Sequence, residues 1–206
     1  MRGFSTEDKM VRPRSGDKDQ ALVDAAISLF LSKGVKGTTI QDIAGKAGIG
    51  VGTVYTYFKD KKEIVRKVAF AFADRHHEFA RDILSSRKKP LAKLNAYLLG
   101  FFDMWQPFGE NLKGPMELAE AVFRWAPETP AMAEKEFLST LQAILTEAKE
   151  HGARIDKPDE EARWIAISTA SFFPLAGTPM KRPMGESYGR NDLKGLLNWL
   201  GRKLTD

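Results

Sequence analysis

The chain has no cysteine among its 206 residues, which excludes disulfides and thiolate metal sites and is compatible with a reducing compartment. Histidine is scarce, with three copies. His76 and His77 are adjacent, and neighbours on a helix point about 100° apart, so they do not converge on one ion. His151 stands alone, and no metal site is expected. Nothing pairs a nucleophile with a base, cradles a phosphate in a glycine loop or sets two carboxylates for acid–base work. Neither catalysis nor a cofactor is expected. Long apolar runs are missing as well. The longest, such as residues 68–73, fall far short of the ~20 residues that span a bilayer. The N-terminus is polar and charged, without the apolar stretch of a secretory leader, so the expected location is the cytoplasm. No run alternates apolar and polar residues, and no fixed-period repeat is visible. The fold class is therefore all-α.

What the chain does have is an ordinary globular composition, 43% hydrophobic and 29% charged, at a length that buries a core without staples. The net charge of +5 is unevenly spread. Residues 1–67 hold 13 Lys and Arg against 8 Asp and Glu, and the remainder holds 19 of each. A basic module joined to a neutral one points to a polyanion partner at one end only.

Residues 1–16 carry Arg2, Lys9, Arg12 and Arg14 without apolar periodicity and read as a flexible basic arm, able to touch phosphates or a minor groove. From residue 17, Leu22, Ala26, Leu29 and Phe30 fall on one helical face, and Gly34 ends that helix. Thr39 caps the next helix, whose buried face is Ile40, Ile43, Ala44 and Ala47. Asp42 holds the reciprocal capping position but is shorter than the usual Glu, which predicts an incomplete box. A short helix follows over 51–57 and a long one from about residue 60 to 85. Further helices are expected over 91–105, 116–124, 134–151, 158–173 and 192–204, with Pro127 and Pro130 interrupting and a Pro- and Gly-rich loop over 174–189. The expected organisation is the arm, a three-helix helix-turn-helix domain over 17–65, and a second helical domain over 66–206, about nine helices in all.

The informative stretch is residues 38–61, TTIQDIAGKAGIGVGTVYTYFKDK. Ala44 stands four residues before Gly48, and Val54 six after it. A small residue where two helices meet, a glycine free to take positive φ in the turn, and an apolar plug on the second helix are the parts of a helix-turn-helix. With Val54 and Phe58 inward, Val51, Gly52, Thr53, Tyr55, Thr56 and Tyr57 are left outside. Hydroxyls and aromatics so displayed suit phosphates and thymine methyls of duplex DNA. Lys61 opens the following helix, where its N–H and its ammonium can both face a phosphate.

These residues resemble the tetracycline-repressor (TetR/AcrR) family, whose hallmark runs approximately T-x-x-x-I-A-x-x-A-G-[VI]-x-x-x-[TA]-[LV]-Y-x-[YH]-F-x-x-K-x-x-[LI]. Thr39, Ile43, Ala44, Ala47, Gly48, Ile49, Thr53, Val54, Tyr55, Tyr57, Phe58, Lys61 and Ile64 supply it here. The strong resemblance covers about a quarter of the chain, roughly residues 18–67. It implies that Gln41 reaches a base or a phosphate, that Val51, Gly52, Thr53 and Tyr55 line the major groove, and that Thr39, Thr56, Tyr57 and Lys61 hold phosphates. Chemistry agrees for Gln41, whose amide pairs with adenine, and for Val51, which can press on a thymine methyl. Two positions depart from the pattern. Gly50 stands where relatives carry a hydroxyl, which removes a phosphate contact. Val35 replaces a common aromatic.

The resemblance further implies a ligand-binding and dimerising second domain and a one-component regulator. The expected function is a repressor released from a palindromic operator by a small lipophilic or aromatic effector. Phe101, Phe102, Trp105, Met116, Phe123 and Phe172 are the pocket candidates. Trp164, Ile167 and Ser171 with Leu196, Leu197 and Leu200 are the expected homodimer contacts. Two other readings stay open. One is a DNA-binding protein without an inducer, which a filled core favours. The other is an enzyme or carrier that uses the helix-turn-helix for protein contact, which DNA binding without salt dependence favours.

Overall fold

A computed structural model describes residues 18–105, 113–173 and 189–205. Among them run nine α-helices and one short 3-10 turn, with no strand. They form two compact units. The arm expected over 1–16 lies outside the described residues.

The first unit holds α1 (Lys18–Lys33), α2 (Ile40–Ala47), α3 (Val51–Tyr57), the opening of α4 (Lys61–Ser85) as far as Val68, and α6 (Lys113–Trp125). Leu22, Ala26, Leu29 and Phe30 are buried along α1, as their spacing requires. Gly34 stops the helix at φ +82°, its N–H returning to the Phe30 carbonyl at 3.0 Å.

Helix α6 falls, by its place in the chain, within the domain expected over 66–206, yet it packs on α1. Gly114 permits the approach, because a Cβ there would meet the backbone carbonyls of Phe30 and Leu31. Glu117 accepts a hydrogen bond from the Lys36 N–H at 3.0 Å, and at the other end of α6 Arg66 donates to the Trp125 carbonyl at 2.6 Å. An amphipathic pattern does not say which neighbour its apolar face will choose. Prolines also misled the boundaries. Pro115 and Pro130 were expected to lie outside helices, but each is the third residue of one, in the first turn, where a missing N–H costs nothing.

The second unit holds the rest of α4, α5 (Pro90–Trp105), α7 (Glu128–Glu150), α8 (Pro158–Thr169) with the 3-10 turn Ala170–Phe172, and α9 (Arg190–Thr205). Tyr97, Leu98, Leu141, Ile144, Leu145 and Leu193 are its fully buried centre. Lys93 is buried at the edge. Its ammonium donates to the Leu84 carbonyl at 2.8 Å and to both oxygens of Glu147 at 3.0 and 2.8 Å, tying α4, α5 and α7 together. A buried cation is tolerable because those partners replace its water. Among the described residues no helix is long and apolar enough to cross a membrane.

Gly114→Ala is expected to destabilise the first unit by about 1–3 kcal/mol, because the methyl meets backbone that cannot rotate away. A lowered denaturation midpoint checks this. An unchanged midpoint would mean that α6 is not held against α1.

Candidate nucleic-acid interface

The interface is built from the turn after α1. Thr39 is extended (φ −101°, ψ 164°) and caps α2. Its hydroxyl accepts from the Asp42 N–H at 3.1 Å, and the Asp42 carboxylate accepts from the Thr39 N–H at 2.8 Å. The box is thus complete, where the shorter Asp predicted an incomplete one. The Thr39 hydroxyl also donates to the same carboxylate at 2.8 Å, which helps the short side chain hold its place. These bonds, the backbone one first, keep the Asp42 carboxyl below its usual value, and Lys33 at 3.5 Å adds to the effect.

Gly48 then turns the chain at φ 67°, and the Ile49 N–H reaches back to the Ala44 carbonyl at 2.9 Å. Ala44 and Val54 are buried against each other's helices, as the spacing predicts. With Val54 inward, helical geometry sets Gly52 and Thr56 at the centre of the outward face. Tyr55 with Val51 flanks them on one side, and Thr53 with Tyr57 on the other. Tyr55 and Tyr57 are 54% and 41% exposed, which is unusual for rings this large on so short a helix. Gln41, Gly52 and Thr56 are exposed, and Val51 and Thr53 are half-buried. The Thr56 hydroxyl donates to the Gly52 carbonyl at 3.3 Å, leaving its oxygen free to accept. Lys46, Lys59 and Lys62 are exposed around this face.

Lys61 is the exception. Its ammonium donates to the carbonyls of Val35 at 2.8 Å and Thr38 at 3.0 Å. Two of the three donors of this ammonium thus hold the turn that precedes the Thr39 cap.

The expected pocket residues do not form one set. Phe101 and Phe102 are buried in the core of the second unit, and Phe172 packs against that core. Met116 and Phe123 belong to the first unit and are exposed. Trp105 ends α5, and its side chain lies outside the described part. His76, Tyr97, Phe137 and Phe173, all outside the expected set, join Phe101 in one aromatic cluster. The His76 Nε2 and the Tyr97 hydroxyl are hydrogen-bonded at 2.8 Å, with Phe101 4.8 Å from the His76 ring and Phe137 5.0 Å from Phe101. Burial holds the His76 imidazole below its ordinary value; Glu136 opposes this and His77 adds to it. The adjacent histidines diverge, as helix geometry requires, and His77 turns to Glu136 at 3.3 Å. The signal that could have found His76 is its place four residues before the buried Ala80.

The expected dimer contacts also divide. Trp164 and Ile167 are 64% and 62% exposed on α8, and Ser171, Leu196 and Leu200 are half-buried. Leu197 is buried within its own subunit's core and cannot serve a partner. Trp199, 50% exposed, is the outward residue beside it.

Two outcomes follow from this geometry. Thr39→Ala should cost about 1 kcal/mol of stability and Thr39→Ser should restore most of it, read from denaturation midpoints. For His76, a folded value below the unfolded one means that stability is fully present above about pH 6.5 and is lost as pH falls. The midpoint should therefore drop between pH 7.5 and 5.5, and His76→Gln should flatten that drop. An equal drop in the variant would assign it to other groups.

Known proteins match this arrangement. Residues 22–68 fit the model of the bacterial regulatory proteins of the tetR family. The transcriptional repressor KstR2 of Mycolicibacterium smegmatis is 35% identical over 82 residues, 40% of this chain and 40% of its own length. The match to KstR2 thus spans well under half of that relative. The regulator BetI of Cronobacter sakazakii is 29% identical over 193 residues, 84% of this chain and 90% of its own. Among solved structures, SmeT, the repressor of the Stenotrophomonas maltophilia multidrug efflux pump SmeDEF, superposes with a TM-score of 0.63 at 20% identity, covering 91% of this chain and 90% of its own. SmeT has also been solved in complex with triclosan, at a TM-score of 0.65 to this chain. The helix-turn-helix geometry and the matched segment agree: residues 22–68 are a tetR-type DNA-binding segment, and the chain shares its all-helical fold with solved regulators of that kind.

Proposed function

We propose that the chain is a homodimeric repressor that binds a palindromic operator through α2 and α3 and releases it when a small apolar or aromatic effector binds the second unit. The observation that carries this reading is the outward face of α3, where Tyr55 and Tyr57 stand exposed beside Gly52, Thr53 and Thr56. Gln41, Val51, Gly52, Thr53 and Tyr55 face bases, and Thr39, Thr56 and Tyr57 face phosphates. Exposed lysines around them supply the attraction that is common to any duplex. Lys61 serves by holding the turn.

Dimerisation is supported by the exposed apolar stripe of Trp164 and Ile167 on α8 and by Trp199 on α9. Closed two-fold pairs are the commonest oligomer, and two recognition helices related by a two-fold axis read an inverted repeat. Support for an apolar effector comes from the aromatic cluster of Tyr97, Phe101, Phe137 and Phe173, and from the triclosan complex of SmeT. Within that cluster the His76–Tyr97 pair offers one polar handle. The effector lowers operator affinity only by preferring the arrangement that binds DNA less well, so it must itself bind more weakly on DNA.

The test is selection of bound duplexes from a random library with the full chain, then titration of the winner at two salt concentrations. An inverted repeat should be enriched, binding should weaken steeply with salt, and Tyr55→Ala should lose about tenfold in affinity. Trp164→Lys should yield monomer and a much weaker complex. Failure to enrich any sequence would overturn the reading.

A further inference from the structure

We infer that α2 and α3 read the operator through thymine methyl groups and one adenine contact, with no side chain of either helix devoted to guanine, so that the half-site they contact is an A·T-rich core. The inference rests on the DNA-binding reading above and concerns which bases that surface selects.

The sequence of α3, VGTVYTY, contains no Arg, Lys, Asn, Gln, Asp or Glu. Those are the side chains that read base edges by paired or directional hydrogen bonds: Arg and Lys for guanine, Asn and Gln for adenine, Asp and Glu for cytosine. The polar groups left on α3 are the hydroxyls of Thr53, Tyr55, Thr56 and Tyr57. A hydroxyl both donates and accepts, so it bonds any base edge and discriminates weakly. Apolar contact does discriminate in the major groove, because among the four ordinary bases only thymine presents a methyl there. Val51 and the Thr53 methyl are the apolar groups of the first turn of α3, the part of a recognition helix that meets base edges, and the Tyr55 ring lies one turn on from Val51.

The neighbouring helix adds a single reader. Gln41 is exposed on α2 and makes no side-chain hydrogen bond to another described residue, so its amide is available for adenine. Lys46 and Lys59, the lysines on either side of α3 in the sequence, stand apart. Lys46 lies about 140° around α2 from Gln41, on the other flank of the helix. Lys59 follows the C-terminal end of α3, away from its base-reading end. Both are placed for backbone contacts, which raise affinity on every sequence alike. A Cβ at Gly52 would meet nothing within 4 Å, so among the described residues no side chain stands over the first turn of α3 at that point, and the helix backbone can lie close to the thymine methyls.

The experiment uses the full chain and the duplex enriched from the random library, with bases replaced one at a time. Thymine-to-uracil replacement removes the methyl and leaves every hydrogen bond. At the contacted positions it should weaken binding about fourfold per methyl. Replacing such a T·A pair by C·G should weaken binding, and 5-methylcytosine in place of that cytosine should recover part of the loss. Replacing guanines by 7-deazaguanine, which lacks the N7 acceptor, should leave affinity unchanged. Val51→Ala and Thr53→Ser should each shrink the thymine-to-uracil ratio at one position. A merely weakened head would lower affinity for both duplexes and leave that ratio intact. Equal binding of thymine and uracil duplexes at every half-site position, or a large loss with 7-deazaguanine, would overturn the inference while leaving sequence-specific DNA binding standing. A library that enriches nothing would overturn both.

Discussion

The ammonium of Lys61, held between the carbonyls of Val35 and Thr38, is the interaction on which the first unit depends. The segment between α1 and α2 is short, and its carbonyls have no helix to receive them. One cation satisfies two of them and fixes the turn. Thr38 adds a bond of its own, its hydroxyl donating to the Gly34 carbonyl at 2.7 Å, and Glu117 takes the Lys36 N–H. Thr39 then emerges in the extended geometry that its capping box needs. Because Lys61 is also the first residue of α4, the turn before the recognition motif and the helix after it are joined by a single side chain.

From that clamp the rest of the head follows by packing. Val54 is buried and Tyr55 exposed one residue later, so α3 has a fixed rotation about its axis. The surface it offers is uncharged, and the lysines lie around it. On the proposed reading, affinity and selectivity fall to different residues: long cations for the uniform backbone, and short apolar and hydroxyl groups for the bases. The second unit shows a related economy. Two of its buried polar groups are partnered across helices, Lys93 with Glu147 and His76 with Tyr97, which ties those helices together.

Much of the head was legible in the sequence, because its constraints are local. Gly34, Thr39, Gly48 and Val54 each perform a task that a few neighbouring residues define, and each is found doing it. The role of Lys61 was not legible in that way. Its carbonyl partners lie 23 and 26 residues away, and a lysine near a DNA-facing helix reads equally well as a phosphate ligand. The same limit hid the placement of α6, which rests on Gly114 meeting the backbone of α1. In the second unit, periodicity marked Leu196, Leu197 and Leu200 as one apolar face but could not divide it. Leu197 serves its own core, while Trp199 is turned out. Met116 and Phe123 were grouped with Phe101 by chemistry alone, and the fold assigns them to different units.

The central claim, that Lys61 is a structural clamp, is tested most directly by Lys61→Met in two measurements on one protein: the denaturation midpoint, and the slope of operator affinity against salt. A clamp donating two charge-assisted hydrogen bonds should cost about 2 kcal/mol of stability when lost, and the salt slope should not change. An unaltered midpoint together with a salt slope reduced by about one would contradict the account and return Lys61 to the phosphate backbone.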